Sequence, residues 1–518
     1  PEPLTAAGLR WADGDAIGDS GATVWVREDH RTGGEPGNAI VRLDPDTAAE
    51  AEGAVLYGAS DFVAYPRVSR DGRHLAFIAW DHPDMPWDAT RLMVGELGPT
   101  GLTGLRTVAG GTGVSVLEPQ WGADGRLYFL SDESGWWNLQ TLEPGGVRTI
   151  TRLTADLGGA LWNLGLSTYA LLDERRAVAR VTRRALDELH LVDLASGATT
   201  PINLPAVALG SIGVLPDGRV HAVAAYADAL PALEAIDPGS GRRETLRSAG
   251  QCPLQPDQIS VAEPIAFATA AGPAGEPREA HAFFHPPRNP AVRAPAGPPP
   301  LMVMLHGGPT GHTSAQFHPG EQFWTSRGFA VVNVNYGGST GFGRAYRERL
   351  NGTWGVVDVQ DAVAAIDALA AAGRIDPTRV AVRGGSAGGY TVLALLTLTD
   401  RFRAGINYFG VADLIALAQD THKFESRYTD RLIAPLPEGL AVYRERSPLN
   451  HLDTLDCALI TFQGAEDKVV PPEQSRAIVA AARARGRPVA YIEFEGEQHG
   501  FRRAENLARA LEAELYFL

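Results

Sequence analysis

Cysteine is almost missing from this chain: Cys252 and Cys457 are the only two in 518 residues. They make neither a disulfide framework nor a metal-binding spacing, so a reducing, cytoplasmic location is the expectation. No apolar run approaches the ~20 residues that a membrane-spanning helix needs, and no membrane partner is expected. Positive charge is in deficit. Lys and Arg total 46 against 61 Asp and Glu, a net charge of -15 that repels phosphate backbones and argues against nucleic acid as a partner. Asp and His meet at Glu28-Asp29-His30, but at no diagnostic ligand spacing, and neither a metal nor a cofactor is expected. What is abundant is turn-forming residues, with 58 Gly and 36 Pro. The length exceeds what one core supports, so two or three domains are expected.

The first half carries a diffuse repeat. Asp71-Gly72-Arg73, Asp124-Gly125-Arg126 and Asp217-Gly218-Arg219 each precede a strand-like run, and Asp173-Glu174-Arg175-Arg176 fills the remaining slot. Asp-Gly is a tight-turn dipeptide, and a period of roughly 50 residues with strands on both sides reads as propeller blades. Five units are expected, over 8–60, 61–113, 114–154, 155–207 and 208–253. Pro1-Glu2-Pro3-Leu4-Thr5 reads as the closing strand of an earlier blade, and an open ring would expose strand edges. One or two further blades upstream of Pro1 are therefore expected. The aromatic and acidic stretches 80–88 and 134–138 read as packing of blade loops.

Pro- and Gly-rich segments at 252–257 and 271–277 place a boundary near 255, so residues 1–255 are expected to form the propeller and 256–518 a second domain. From about 300, apolar strand-like runs (Leu301–Leu305, Ala330–Asn335, 380–383, 405–409, 458–462 and Val489–Phe494) alternate with helical stretches. These are 357–372, 390–399, 472–485 and 504–518. That alternation means a mostly parallel sheet covered by helices, with its site beyond the carboxyl ends of the strands.

The chemistry-bearing residues fall at those ends. Gly384-Gly385-Ser386-Ala387-Gly388 matches G-x-S-x-G between a strand and a helix, as a nucleophile elbow requires. His306-Gly307-Gly308-Pro309 follows an earlier strand, and its glycines let a backbone N–H approach an oxyanion. Gly308 and Ala387 are the expected donors. His306 precedes the serine and ends a strand, so it reads as a loop-holding residue. Glu466 and Asp467 follow a later strand and compete for the role of the acid that orients an imidazole. His499, in Gln498-His499-Gly500, lies between the last strand and the last helix. Ser386, an acid and His499 stand in the chain order of this hydrolase class.

Residues 300–518 resemble the catalytic domain of the prolyl oligopeptidase family of serine peptidases. The resemblance rests on His306–Pro309, Asn335–Gly343, Gly384–Tyr390, Gly464–Gln474 and Gln498–Phe501. Within the family the chain is most similar to the acylaminoacyl-peptidase and bacterial aminopeptidase or dipeptidyl-peptidase branch, whose members carry a propeller before the hydrolase. The resemblance implies Ser386 as nucleophile, Asp467 as the acid and His499 as the base.

The expected function is a serine peptidase that releases residues from the N-terminus of short peptides through an acyl-enzyme. The propeller is expected to act as a size filter, and a homo-oligomer is compatible with everything above. The rivals are a carboxylesterase with the same triad and a propeller-based binding protein with an inactive hydrolase. Between Asp413 and Leu452 a polar insertion follows the strand after the elbow. Its Glu425 is the carboxylate expected to meet a substrate ammonium, with Phe424 and Tyr428 walling the neighbouring pocket. The competing expectation pairs Glu425 with Arg427 or Arg431 on a solvated helix.

Overall fold

The structure is a computed structural model that describes residues 5–45, 52–99, 101–293 and 296–518. Four of the five residues assigned above to a closing strand, 1–4, lie outside these. The chain forms two compact units. The first comprises Pro1–Ala224, Pro231–Ser248 and Gly341–Arg344; the second comprises Ala225–Leu230, Ala249–Thr340 and Ala345–Leu518.

The five repeats of the first unit are five four-stranded antiparallel sheets, over 9–57, 62–110, 116–149, 169–201 and 208–248, each a simple meander. The Asp-Gly turns join first strand to second. In the turn at 69–73, for example, Asp71 accepts from Ser69 Oγ at 2.6 Å and from Arg73 N–H at 3.1 Å. Apolar residues from the first two sheets, among them Val24, Ile40, Val63, Leu75 and Phe77, share one core. The tryptophan-rich loops pack as expected: Trp87 and Trp137 are buried, and Trp87 lies 4.6 Å from Trp162, ring to ring.

One recurring device is invisible in the sequence. The first strands of four sheets each contain a non-glycine residue in the left-handed region: Asp13 (φ 52°), Tyr65 (54°), Glu118 (51°) and Ser211 (51°). In the first three sheets these residues fall where the pairing register slips, as a bulge requires. The slip turns the side chain or N–H toward the next sheet. Asp13 Oδ2 accepts from Tyr65 N–H at 2.8 Å, and Glu118 accepts from Thr168 N–H and its hydroxyl, both at 2.7 Å. Those bonds offset conformational strain of ~1–3 kcal/mol per residue.

The second unit is built on one eight-stranded sheet. Its strands are β1 (Glu263–Thr269), β2 (Arg278–His285), β3 (Leu301–Leu305), β4 (Ala330–Asn335), β5 (Val380–Gly385), β6 (Ala404–Tyr408), β7 (Ala458–Gly464) and β8 (Val489–Phe494). Their order is β1-β2-β4-β3-β5-β6-β7-β8, antiparallel only where β2 meets β1 and β4. The central strands are continuous apolar runs because both faces are covered. Met302, Val331, Ile406, Ile460 and Phe462 share a core with Trp324 of helix α1 (Pro319–Thr325).

Helix α2 (Val357–Ala371) buries Asp358, Val359, Ala362, Ala365, Ile366 and Leu369 at helical spacing. Helix α3 (Ala387–Leu398) begins immediately after Ser386, earlier than the apolar pattern indicated, because the glycines of the elbow are themselves helical. The insertion at 413–452 is not one solvated helix. It holds α4 (Leu414–Gln419), a single 3₁₀ turn at Lys423–Glu425, α5 (Tyr428–Leu432) and α6 (Leu440–Arg446). These pieces are too short for a periodicity to show, and α4 starts because the Asp413 carboxylate accepts from Ile415 N–H at 2.9 Å. Two long helices, α7 (Pro472–Ala484) and α8 (Ala504–Phe517), follow β7 and β8.

Candidate active site

Strands β3 and β5 lie side by side and in register, Leu305 against Gly384. The loops that leave them therefore emerge together. Ser386 sits on the turn from β5 into α3 at φ 55°, ψ -123°, a backbone that costs energy for any residue with a side chain. The turn is tight enough to exclude side chains at its flanks. A Cβ on Gly384 would lie 2.5 Å from Gly388 O, and one on Gly388 would lie 2.3 Å from Leu305 O. The serine N–H donates to Tyr408 O at 3.0 Å, tying the turn to β6.

His499 Nε2 lies 3.0 Å from Ser386 Oγ, and its Nδ1 lies 2.8 Å from Asp467 Oδ2. The carboxylate is fixed in turn. Asp467 Oδ1 accepts from the N–H groups of Val469 and Val470, each at 2.9 Å, and Gln463 Nε2 donates to Oδ2 at 3.3 Å. Asp467 is buried and Glu466 exposed, so of the two acids only Asp467 reaches the imidazole. The Phe409 ring lies 4.7 Å from that of His499 and closes one side of it. Serine, histidine and aspartate, spread over 114 positions of sequence, thus form one hydrogen-bonded chain.

Gly308 (φ 121°) and Ala387 border a cleft with Ser386. Among the described residues neither of their N–H groups donates to another protein group. His306 is not part of the chain to Ser386. It stacks on Tyr336 with ring centroids 4.3 Å apart, and its ring nitrogens lie 2.8 Å from Ser339 Oγ and 2.9 Å from Gly307 O. Burial pushes its pKa down to about 4. It is a neutral residue that holds the loop.

The cleft is further lined by Trp354, Val411, Leu417, Thr421, Glu425, Tyr428 and Val470. Two of the three insertion residues named from sequence are there; Phe424 is not part of the lining. Glu425 pairs with neither Arg427 nor Arg431 as the competing expectation had it. Its partner is His422 at 3.3 Å, while Arg427 takes Asp430. The 3₁₀ turn, where a helix was expected, brings positions 422 and 425 together. Trp354, Val411 and Leu417 were missed in the sequence, where nothing distinguishes them from core residues. Glu28 and Asp29 are occupied locally, Asp29 by Arg31 at 2.7 Å and Glu28 by His30 at 3.0 Å.

Beneath the elbow, Asp358 is wholly buried and accepts from Thr391 Oγ1 at 2.5 Å and Gly355 N–H at 2.7 Å. Burial raises its pKa to about 6.

A serine on a strained strand-to-helix turn, with an imidazole and a carboxylate supplied from later strand ends, defines an α/β-hydrolase. Residues 315–518 match the prolyl oligopeptidase family. Over 215 residues the chain is 35% identical to dipeptidyl aminopeptidase BIII of Pseudoxanthomonas mexicana, covering 40% of this chain and 31% of that protein. The alignment to this curated relative thus spans about a third of its length. A solved Mycobacterium tuberculosis puromycin-hydrolyzing peptidase is 40% identical, with a TM-score of 0.93 over 99% of this chain and 79% of that one. A solved puromycin hydrolase is 37% identical, again with a TM-score of 0.93, over 100% of this chain and 79% of that one. The chain belongs to the prolyl oligopeptidase family of serine peptidases.

Proposed function

We propose that this protein is a serine peptidase that removes residues from the N-terminus of short peptides through an acyl-enzyme. The observation that carries the reading is the chain Ser386 Oγ, His499, Asp467, with links of 3.0 and 2.8 Å on an elbow of left-handed backbone. His499 Nε2 takes the hydroxyl proton as Ser386 Oγ bonds to the substrate carbonyl carbon. The carbonyl oxygen, now negative, accepts from Gly308 and Ala387 N–H, each such donor lowering the barrier by roughly 3–4 kcal/mol. Collapse breaks the C–N bond, and His499 gives its proton to the departing amine. Water then enters and loses a proton to the same nitrogen as its oxygen bonds to the acyl carbon; the bond to Ser386 Oγ breaks, His499 returns the proton to Oγ, and the acid leaves. Asp467 holds the imidazole with Nε2 facing the serine.

The five four-stranded sheets are read as propeller blades: their first strands bond to one another in sequence, as at Tyr65 to Asp13 and Tyr169 to Glu118. The reading keeps a boundary near 255, in the segment between the last strand of these sheets, Arg243–Ser248, and β1 at Glu263–Thr269. Glu425 on the cleft wall is the group that would take a free amino terminus, if the substrate carries one. The reading keeps the cytoplasm as the location.

Wild-type protein should react with a fluorophosphonate and trim short free-amine peptides from their N-termini, read by mass spectrometry. Ser386→Ala should do neither while keeping its fold by circular dichroism. Peptide trimming by the Ser386→Ala protein at the wild-type rate would sink the assignment. Hydrolysis confined to esters of the same acyl group would point to an esterase instead.

A further inference from the structure

The loop that carries Gly308 is fastened on both flanks. On one, the Tyr336 hydroxyl donates to His306 O at 2.9 Å and Thr340 N–H donates to Gly311 O at 2.9 Å. On the other stands Tyr428, at the start of α5. Its hydroxyl accepts from Thr310 N–H at 3.1 Å and lies 2.5 Å from Thr310 Oγ1. Both residues are buried, with 4–5% of their surface exposed. The Tyr428 side chain also lines the cleft beside Ser386.

Thr310 and Gly308 lie against each other. The chain folds back so closely that a Cβ on Gly308 would lie 2.8 Å from Thr310 N and 3.3 Å from Gly311 N. Whatever fixes the Thr310 amide therefore fixes the direction of the Gly308 N–H two residues earlier. Oxyanion donors work only when aimed before the reaction begins, and a shift of about 1 Å in such a group can cost a hundredfold in rate.

We infer that the Tyr428 hydroxyl is a positioning residue for the oxyanion site, holding Thr310 so that Gly308 N–H points at the developing negative charge. The inference rests on the reading of Ser386 and Gly308 given above, and goes beyond the role of pocket wall. It also makes the pocket and the donor one assembly: a substrate side chain that seats against the tyrosine ring bears on the group that aims the Gly308 amide.

Tyr428→Phe keeps the ring and removes only the hydroxyl. With a peptide substrate, kcat should fall roughly 10- to 100-fold, less than the loss of a whole donor, while KM changes less than about threefold. A peptide aldehyde, which forms a tetrahedral adduct on Ser386 Oγ, should lose affinity by the same factor as kcat. An uncleaved peptide should bind Ser386→Ala and Ser386→Ala/Tyr428→Phe equally, within about twofold, because no oxyanion forms there. Thr310→Val, which removes the other end of the contact, should give a smaller loss in the same sense. The double variant should be no slower than Tyr428→Phe alone, since both changes break one assembly.

An unchanged kcat in Tyr428→Phe, or a rise in KM in place of the fall in kcat, would overturn the inference and leave Tyr428 as a wall. Equal losses for aldehyde and uncleaved peptide would do the same. Ser386→Ala, assayed in parallel, separates the two levels. If it is dead and Tyr428→Phe is unimpaired, only this inference falls; if it retains wild-type turnover, the proposed function falls as well.

Discussion

Among the described residues of the cleft wall, Glu425 is the one carboxylate beside the apolar side chains of Trp354, Val411, Leu417 and Tyr428. A charge in such surroundings is costly unless it has a partner, and the partner present, His422, lies 3.3 Å away with half of its side chain exposed. A substrate ammonium would complete the pairing. A hydrogen bond between charged groups contributes about 1.5–3 kcal/mol. Glu425→Gln should therefore raise KM for free-amine peptides roughly 10- to 100-fold and leave N-acetylated analogues nearly unchanged. Steady-state kinetics on matched peptide pairs checks this; equal effects on both would make Glu425 scaffold.

At the scale of elements, the last helix is pinned to the strand that ends at the nucleophile. Glu514 of α8 is fully buried and lies 3.0 Å from Arg383 Nε on β5, and the Tyr408 hydroxyl of β6 donates to the same carboxylate. The Arg383 guanidinium also stacks over the Tyr408 ring, 4.6 Å from its centre. Removing one partner of such a pair leaves the other charge buried and uncompensated, a loss of about 3–5 kcal/mol, whereas replacing both by apolar groups is often neutral. Glu514→Gln should thus destabilise the hydrolase unit by about 3 kcal/mol, the lower end because Arg383 retains a quarter of its side-chain exposure. Arg383→Met/Glu514→Leu should recover most of it. Urea melts of the three proteins give the comparison, and a single variant as stable as wild type would show that the pair contributes nothing.

For the whole molecule, buried titrating groups pull the response to pH in two directions: His306, held at about 4, favours the folded state as pH rises, and two carboxylates oppose it. Burial raises Glu118 in the first unit to about 7 and Asp358 in the second to about 6. In the unfolded chain both titrate near 4, so between about pH 4 and 7 the folded state binds the extra protons. Their contribution to stability is complete below the unfolded values and is lost as pH rises through the folded ones. Each is worth about 3 kcal/mol over that window. Glu118→Gln and Asp358→Asn keep the shapes and abolish the titrations, so the stability of each variant relative to wild type should rise between pH 4.5 and 7.5. Denaturant melts across that range test it; a difference between variant and wild type that does not change with pH would contradict the assignment.

Much of the molecule was legible in the chain itself. The five-fold repeat, the strand and helix order after residue 300, and the order of Ser386, an acid and His499 are local patterns: turn dipeptides, apolar periodicity, short motifs at strand ends. Local patterns report backbone preference and burial, and that suffices to say which segments form and which residues stand at their ends. The tertiary structure decided what depends on residues far apart. It selected Asp467 over its neighbour Glu466 by burying one and exposing the other. It left Phe424 out of the cleft lining and brought Tyr428 against Thr310, 118 positions away in sequence. It also placed Asp13, Tyr65 and Glu118 in left-handed bulges that no propensity favours, because bonds to the next sheet outweigh the strain. Contacts of this kind carry no signature in the segments that make them; they exist only once the sheets and loops have packed.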